Sequence, residues 1–233
     1  MNGNARSRPP RAGGRPSGTY GPTRRRFNAA LAALALAAFW AAGAGPTIAA
    51  PIRLMALGDS LTAGFGLPAE DGFPAQLQRA LQKRGRDVVI LNAGVSGDTS
   101  AGGLARLDWA LADKPAMALV ALGANDALRG IDPARTFENL DRLLARLKAA
   151  GIPSLLVGML APPNLGREYG QAFNAIYPRL ADKHGVPLYP FFLDGVAAEP
   201  QLNQPDGIHP NAAGVGVLVE RMLPAVEKLL AGG

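Results

Sequence analysis

From residue 51 onward, short stretches that are apolar at nearly every position alternate with longer segments in which apolar residues recur at helical spacing. The short stretches predict five β-strands, at residues 52–57, 88–91, 117–122, 152–160 and 186–189. The longer segments predict five helices, at residues 70–84, 100–111, 133–150, 168–184 and 212–230. Buried strands that alternate with helices are typical of a parallel sheet covered on both faces. The pattern therefore predicts an α/β protein, a three-layer α/β/α domain with a doubly wound, five-stranded parallel sheet.

The first 50 residues differ from the rest of the chain in charge. They contain seven arginines and no acidic residue, which leaves 17 basic and 18 acidic residues in the remainder, a formal net charge of −1. The formal net charge of +6 for the whole chain therefore belongs to its beginning. Because the body has no basic stripe, we expect no nucleic-acid partner.

This basic beginning also predicts export. Arg24, Arg25 and Arg26 precede a run rich in Ala and Leu, and small residues near Ala49 and Ala50 fit a cleavage site. We expect residues 1–50 to be an export signal with a disordered basic N-terminus, and residues 51–233 to be one periplasmic or secreted domain without a membrane span. The arginines fit both a twin-arginine signal and the general secretory route. An uncleaved anchor is the alternative, although the apolar run is short for a span of about 20 residues.

Four polar clusters fall at the ends of predicted strands or before the last helix. They are residues 58–64, 92–99, 123–126 and 206–211. Parallel topology brings the carboxyl ends of the strands to one edge of the sheet, where ligands bind in such folds. Reactive side chains are therefore expected in these clusters.

Three of these side chains are suited to acyl transfer. A serine hydroxyl becomes a nucleophile when a base removes its proton, and Ser60 lies between a strand and a helix start. His209 is the candidate base, and Asp206, three residues earlier, can hold one ring nitrogen of that histidine and leave the other for the serine. The chain contains no cysteine, which excludes thiolate catalysis and cysteine metal sites.

The same clusters offer donors for a developing oxyanion. These are the backbone amides of Ser60 and Gly97 and the side-chain amide of Asn125. Each cluster alone also has an ordinary explanation, such as a turn, a helix cap or a loop hinge. Their joint occurrence in one order favours catalysis. Asp59 and Asp126 are either supports for their catalytic neighbours or a metal pair, and we favour supports because no further ligand stands at metal-like spacing.

The clusters resemble the conserved blocks of the SGNH/GDSL hydrolase superfamily. The resemblance is carried by residues 57–61, 96–100, 102–107, 125–130, 172–178, 190–192 and 206–211. It implies a flavodoxin-like sheet, no cofactor and no metal. It also implies Ser60 as nucleophile, Asp206 and His209 as its partners, and Gly97 and Asn125 as oxyanion donors.

The resemblance further implies cleavage of carboxylic esters and thioesters through an acyl-serine intermediate, as in arylesterases, acyl-CoA thioesterases and lysophospholipases. The substrate is then a small acyl ester or thioester, and we expect a monomer. Residues 127–131 correspond to a mobile loop over the acyl pocket. The expected pocket residues are Ala127, Leu128, Ile131, Leu160 and Pro162. The alternatives are a carbohydrate O-deacetylase on the same fold and a non-catalytic exported binding module.

Overall fold

A five-stranded parallel sheet organises residues 50–232. The computed structural model describes Gly13 and residues 50–232, so the predicted export signal lies outside the described residues. The strands are β1 (Ile52–Gly58), β2 (Val88–Gly94), β3 (Met117–Ala121), β4 (Ser154–Val157) and β5 (Leu188–Tyr189). Their order across the sheet is β2–β1–β3–β4–β5, and every neighbouring pair is parallel. The predicted three-layer, flavodoxin-like fold is confirmed.

Helices connect the strands and cover the sheet. They are α1 (Ser60–Ala63), α2 (Phe73–Lys83), α3 (Ser100–Ala105), α4 (Leu107–Leu111), α5 (Ala124–Leu128), α6 (Pro133–Ala149), α7 (Arg167–Asn174), α8 (Ile176–His184) and α9 (Ala212–Ala231). Short 3₁₀ turns occupy Ala69–Asp71, Pro163–Leu165 and Pro200–Leu202. Within residues 50–232, no helix combines the length and the apolar character needed to cross a bilayer.

The strand order determines where a ligand can bind. Chain order reverses between the central strands β1 and β3, because β1 continues to the edge strand β2 and β3 continues in the opposite direction. Such a switch point leaves a crevice beyond the carboxyl ends of the two strands. All five residues of β3 are buried, as are the last five of β1, so these strands form a rigid floor for the crevice.

Two predicted helices are each divided in the structure. The segment predicted at 100–111 breaks at Arg106, and the one predicted at 168–184 breaks at Ala175. Pro178 explains the second break, since it has no N–H to donate to the carbonyl of Asn174 four residues earlier. The strand predicted at 152–160 is also shorter, because Pro153 precedes it and the chain turns away after Val157.

Candidate active site

The first strand delivers Ser60 to the crevice. β1 ends at Gly58, and α1 begins at Ser60, two residues later. The carboxylate of Asp59 caps this short helix by accepting the N–H of Leu61 at 3.0 Å. A side chain at position 58 would lie 2.9 Å from the carbonyl oxygen of Ala121 in β3, so glycine permits the close approach. The result is a sharp strand-to-helix turn with Ser60 at its tip.

Ser60, His209 and Asp206 form one continuous chain of hydrogen bonds. His209 Nε2 lies 2.9 Å from Ser60 Oγ, and His209 Nδ1 lies 2.7 Å from Asp206 Oδ2. Ser60 and His209 are 149 residues apart in sequence, and the fold joins them. The geometry is that of a nucleophile, a base and an orienting carboxylate.

The loop that carries the carboxylate also fixes its charge. Asp206 Oδ1 accepts the backbone N–H groups of Ile208 at 2.9 Å and of His209 at 3.0 Å. These bonds lower the pKa of Asp206 to about 2, and the bond from the His209 backbone has the largest effect. Asp206 is therefore ionised at neutral pH and holds a proton on Nδ1 of His209, which leaves Nε2 as the acceptor facing Ser60.

Donors for an oxyanion lie beside Ser60. Gly97 adopts a left-handed conformation with φ of +83°, which glycine tolerates without strain. Within the described residues, neither the Ser60 nor the Gly97 backbone N–H donates a hydrogen bond. The Asn125 side-chain amide donates one N–H to the carbonyl of Asp98 at 2.9 Å, and its second N–H stays available. The three expected donors thus lie at the start of helix α1, in the loop before helix α3 and in helix α5.

Two arginines that we did not predict hold the loop at residues 95–99. Arg106 pairs with the carboxylate of Asp98 at 2.5 Å and donates to the carbonyl of Gly58 at 2.9 Å. Arg129 donates to the carbonyl of Gly97 at 2.7 Å. Arg106 thereby joins the Gly97 loop to the strand end before Ser60. No spacing in the sequence marks these contacts, since each depends on the three-dimensional approach of separate loops.

Asp59 and Asp126, which flank the catalytic candidates, are both buried. Burial raises the pKa of Asp59 to about 6. Asp126 accepts the N–H of Ser100 at 2.7 Å, the hydroxyl of Ser100 at 2.5 Å and the hydroxyl of Thr136 at 3.1 Å. In the described part of the chain, no cluster of three or more potential metal ligands occurs. By these hydrogen bonds Asp126 supports the structure next to Asn125, as the cap on Leu61 lets Asp59 support the turn at Ser60.

A cavity of about 200 Å³ opens next to Ser60 and His209. Its remaining wall is mainly apolar. The residues that form this wall are Leu61, Ala124, Asn125, Leu128, Met159, Leu160, Pro162, Leu193 and Ile208. Three of the expected pocket residues, Leu128, Leu160 and Pro162, are in it. Sequence reasoning did not identify the remaining apolar wall residues, although two of them, Met159 and Leu193, follow strands β4 and β5.

Ala127 and Ile131, the other two expected pocket residues, are not among the residues that line this cavity. Residues 124–128 form helix α5 rather than a loop, so the cavity side is shared by Ala124 and Leu128, four residues apart. Ala127 lies one position away on that helix and is 1% exposed in the core. Ile131 follows helix α5, and its carbonyl accepts the hydroxyl of Tyr169 at 2.8 Å.

Comparison with known proteins agrees with this architecture. A family model described as GDSL-like Lipase/Acylhydrolase matches residues 56–217. The chain is 43% identical over 183 residues to "Esterase TesA" of Pseudomonas aeruginosa, which covers 78% of this chain and 91% of that protein. It is also 43% identical over 183 residues to "Thioesterase 1/protease 1/lysophospholipase L1" of Escherichia coli, with 78% and 86% covered.

A solved structure extends the likeness to three dimensions. The crystal structure of AlinE4, described as an SGNH-hydrolase family esterase, superposes with a TM-score of 0.67 at 48% identity. The match covers 79% of this chain and 99% of AlinE4. The resemblance seen in the sequence motifs is confirmed, and the chain belongs to the GDSL/SGNH family of lipases and acylhydrolases.

Proposed function

We propose that this protein hydrolyses carboxylic ester and thioester bonds through an acyl–Ser60 intermediate. The observation that carries the proposal is the Ser60–His209–Asp206 chain, with distances of 2.9 and 2.7 Å, at the mouth of an apolar cavity. The relatives named esterase and thioesterase support the same reaction class. No step in this scheme requires a cofactor or a metal.

Acylation begins when Ser60 Oγ attacks the carbonyl carbon of the ester. His209 Nε2 takes the hydroxyl proton, and the carbonyl π electrons move to oxygen, which becomes an oxyanion. The N–H groups of Ser60, Gly97 and Asn125 stabilise that charge. The intermediate collapses, the bond to the alkoxide or thiolate breaks, and His209 returns the proton to the leaving group.

Deacylation repeats the sequence with water as the nucleophile. His209 removes a proton from water, and the resulting hydroxide attacks the acyl carbon. The second tetrahedral intermediate releases the carboxylic acid, and Ser60 Oγ recovers its proton from His209. Asp206 remains ionised throughout and stabilises the imidazolium that forms in each half-reaction.

The cavity indicates where the acyl chain lies. Its side chains from Leu61, Leu128, Met159, Leu193 and Ile208 provide dispersion contacts for hydrocarbon. A pocket that recognises a sugar would need several convergent polar groups, whereas the polar groups here are those of Ser60, Asn125 and His209. This composition supports acyl esters over acetylated carbohydrate.

The test is a parallel hydrolysis screen of the purified protein. Substrates are aryl acetates, longer acyl esters, acyl-CoA, lysophospholipid and an acetylated sugar. Ser60→Ala should abolish turnover of the acyl esters and thioesters. The matched control is Ser154→Ala, because Ser154 bonds only to the carbonyl of Ile152 at the amino end of β4, away from the crevice.

The outcomes separate the candidate functions. Turnover of acyl esters that is lost in Ser60→Ala and kept in Ser154→Ala supports the proposal. Serine-dependent turnover of the acetylated sugar alone indicates a deacetylase instead. No serine-dependent turnover of any substrate refutes an enzymatic role and favours a binding module.

We also propose that residues 1–50 direct export and that residues 51–233 act in the periplasm as a monomeric hydrolase domain. The support is compositional, namely seven arginines without an acid followed by an Ala- and Leu-rich run. The mass of the mature protein recovered from the periplasm should match cleavage near Ala49.

Replacement of Arg24, Arg25 and Arg26 by lysine should block a twin-arginine route and spare the general one. A full-length protein retained in the membrane would contradict the proposal.

A further inference from the structure

A half-exposed phenylalanine lies against the imidazole of His209. The ring centroids of Phe65 and His209 are 4.6 Å apart, and the ring planes are inclined by 38°. Phe65 is 49% exposed and is outside the wall of the acyl cavity described above. An isolated exposed phenylalanine needs no functional explanation. Its contact with the proposed base, His209, has functional meaning only if other contacts hold the two rings together.

The turn after the nucleophile helix holds Phe65 from the backbone side. Gly64 and Gly66, on either side of it, have φ of +81° and +75°, a conformation that favours glycine. The N–H of Phe65 donates to the carbonyl of Ser60 at 3.1 Å. The position of the aromatic ring is thus tied to the residue that carries the nucleophile.

Gln204 ties the same turn to the histidine loop. Its side-chain amide donates to the carbonyl of Phe65 at 2.7 Å and to the carbonyl of Pro210 at 3.0 Å. Its backbone N–H donates to the carbonyl of His209 at 2.7 Å. A side chain at position 66 would collide with Gln204 Oε1, so Gly66 also leaves room for this bridge. One residue therefore holds both partners of the ring contact.

We propose that Phe65 is a positioning residue whose ring supports the His209 imidazolium formed when Ser60 loses its proton, and that Gln204 holds the two rings in contact. The inference rests on the proposed function, because the imidazolium forms only if His209 activates Ser60. The ring contact leaves both nitrogens of His209 free for Asp206 and Ser60. An aromatic face within about 6 Å attracts a cation, so the contact stabilises the charged histidine more than the neutral one.

The effect should appear in kcat rather than in KM, since it favours the transition state over the bound substrate. Phe65→Leu keeps an apolar side chain but removes the aromatic face, and we expect kcat to fall about 2–5-fold with KM unchanged. Phe65→Tyr keeps the face and should restore the wild-type kcat. Phe137→Leu is the matched control, because Phe137 is on helix α6, where its ring lies under Arg179 of helix α8.

Gln204 provides a second test with Phe65 intact. Gln204→Glu retains the size of the side chain but removes the N–H groups that bind the two carbonyls. We expect kcat to fall at least as much as in Phe65→Leu. The double variant Phe65→Leu with Gln204→Glu should lose less than the product of the single losses, because both changes remove the same contact. Thermal midpoints measured for every variant report whether the fold is kept.

The failures of this inference and of the proposed function give different results. If the wild-type enzyme shows Ser60-dependent turnover and a folded Phe65→Leu variant has the same kcat, the role of Phe65 is overturned and the proposed function is not. A Phe65→Tyr variant as slow as Phe65→Leu also overturns this role, because the aromatic face would then be irrelevant. Absence of Ser60-dependent turnover in the wild type overturns the proposed function and this inference together.

Discussion

Removal of the Asn125 side-chain amide tests the oxyanion site most directly. Asn125→Ala deletes a neutral donor, and Asn125→Asp keeps its shape while it replaces the N–H groups with an acceptor. In the resting protein one N–H of this amide bonds the carbonyl of Asp98 at 2.9 Å. The other N–H is the group assigned to the developing oxyanion. The two variants therefore separate loss of volume from loss of the donor.

The magnitude follows from the number of bonds that each variant loses. Loss of one oxyanion donor lowers kcat by about 10²–10³ in comparable sites, which corresponds to roughly 2.7–4 kcal/mol. The bond to Asp98 is part-buried and neutral, so its loss should lower the free energy of unfolding by only about 1 kcal/mol. Asn125→Asp should be at least as slow as Asn125→Ala, because a carboxylate beside the oxyanion repels it. KM should change little in both variants.

The assay is the initial rate of hydrolysis of a chromogenic acyl ester over a range of concentrations. Urea unfolding measures stability in parallel, and Ser154→Ala serves as a stability control that should leave kcat unchanged. A kcat for Asn125→Ala within tenfold of the wild type would refute the assignment. The oxyanion would then be stabilised by backbone groups alone. A loss of more than about 3 kcal/mol in unfolding free energy would instead show that Asn125 is mainly structural.

Two other carboxylates give predictions of different kinds. Asp206→Asn should lower kcat by about 10⁴, because the Asn amide donates to Nδ1 of His209, moves the proton to Nε2 and removes the acceptor for Ser60. Stopped-flow measurement of acylation would detect the loss. A loss of less than tenfold would contradict the role of Asp206 as the orienting carboxylate. Asp59 concerns stability. Burial raises the pKa of Asp59 in the folded protein to about 6, above its ordinary value of 3.8, so its contribution to stability declines as pH rises between these values. Asp59→Asn should therefore gain up to about 3 kcal/mol relative to the wild type between pH 4 and pH 7. Equal pH dependence of urea unfolding in both proteins would refute this.

The parts of the site that follow from topology were predictable from sequence. Apolar runs mark the strands, and parallel topology places the residue after each strand at one edge of the sheet. Ser60 follows β1 by two residues and Asn125 follows β3 by four, and these are the two strands at the switch point, so their proximity needs only the strand order. Asp206 and His209 are close in sequence, and their mutual contact needs only a turn.

The parts that depend on side-chain contacts between loops were not predictable in this way. Arg106 and Arg129 lie in the motif blocks 102–107 and 125–130, but their partners are carbonyls of Gly58 and Gly97 that no residue type identifies. The absence of Ala127 from the cavity wall has a related cause. A shift of one residue on a helix turns a side chain by about 100°, so the difference between loop and helix over 124–128 decides which residues face the cavity.

The two kinds of contact have different consequences for the site. Topology brings Ser60 and Asn125 to within reach, but a catalytic arrangement has to be held within about 0.5 Å. Arg106 and Arg129 supply that precision on the oxyanion side, since both bind the loop around Gly97. Gln204 supplies it on the histidine side, since it joins the Ser60 turn to the His209 loop. The residues that sequence patterns reveal therefore carry the proposed chemistry, while those that the patterns miss are expected to hold the reacting groups in place.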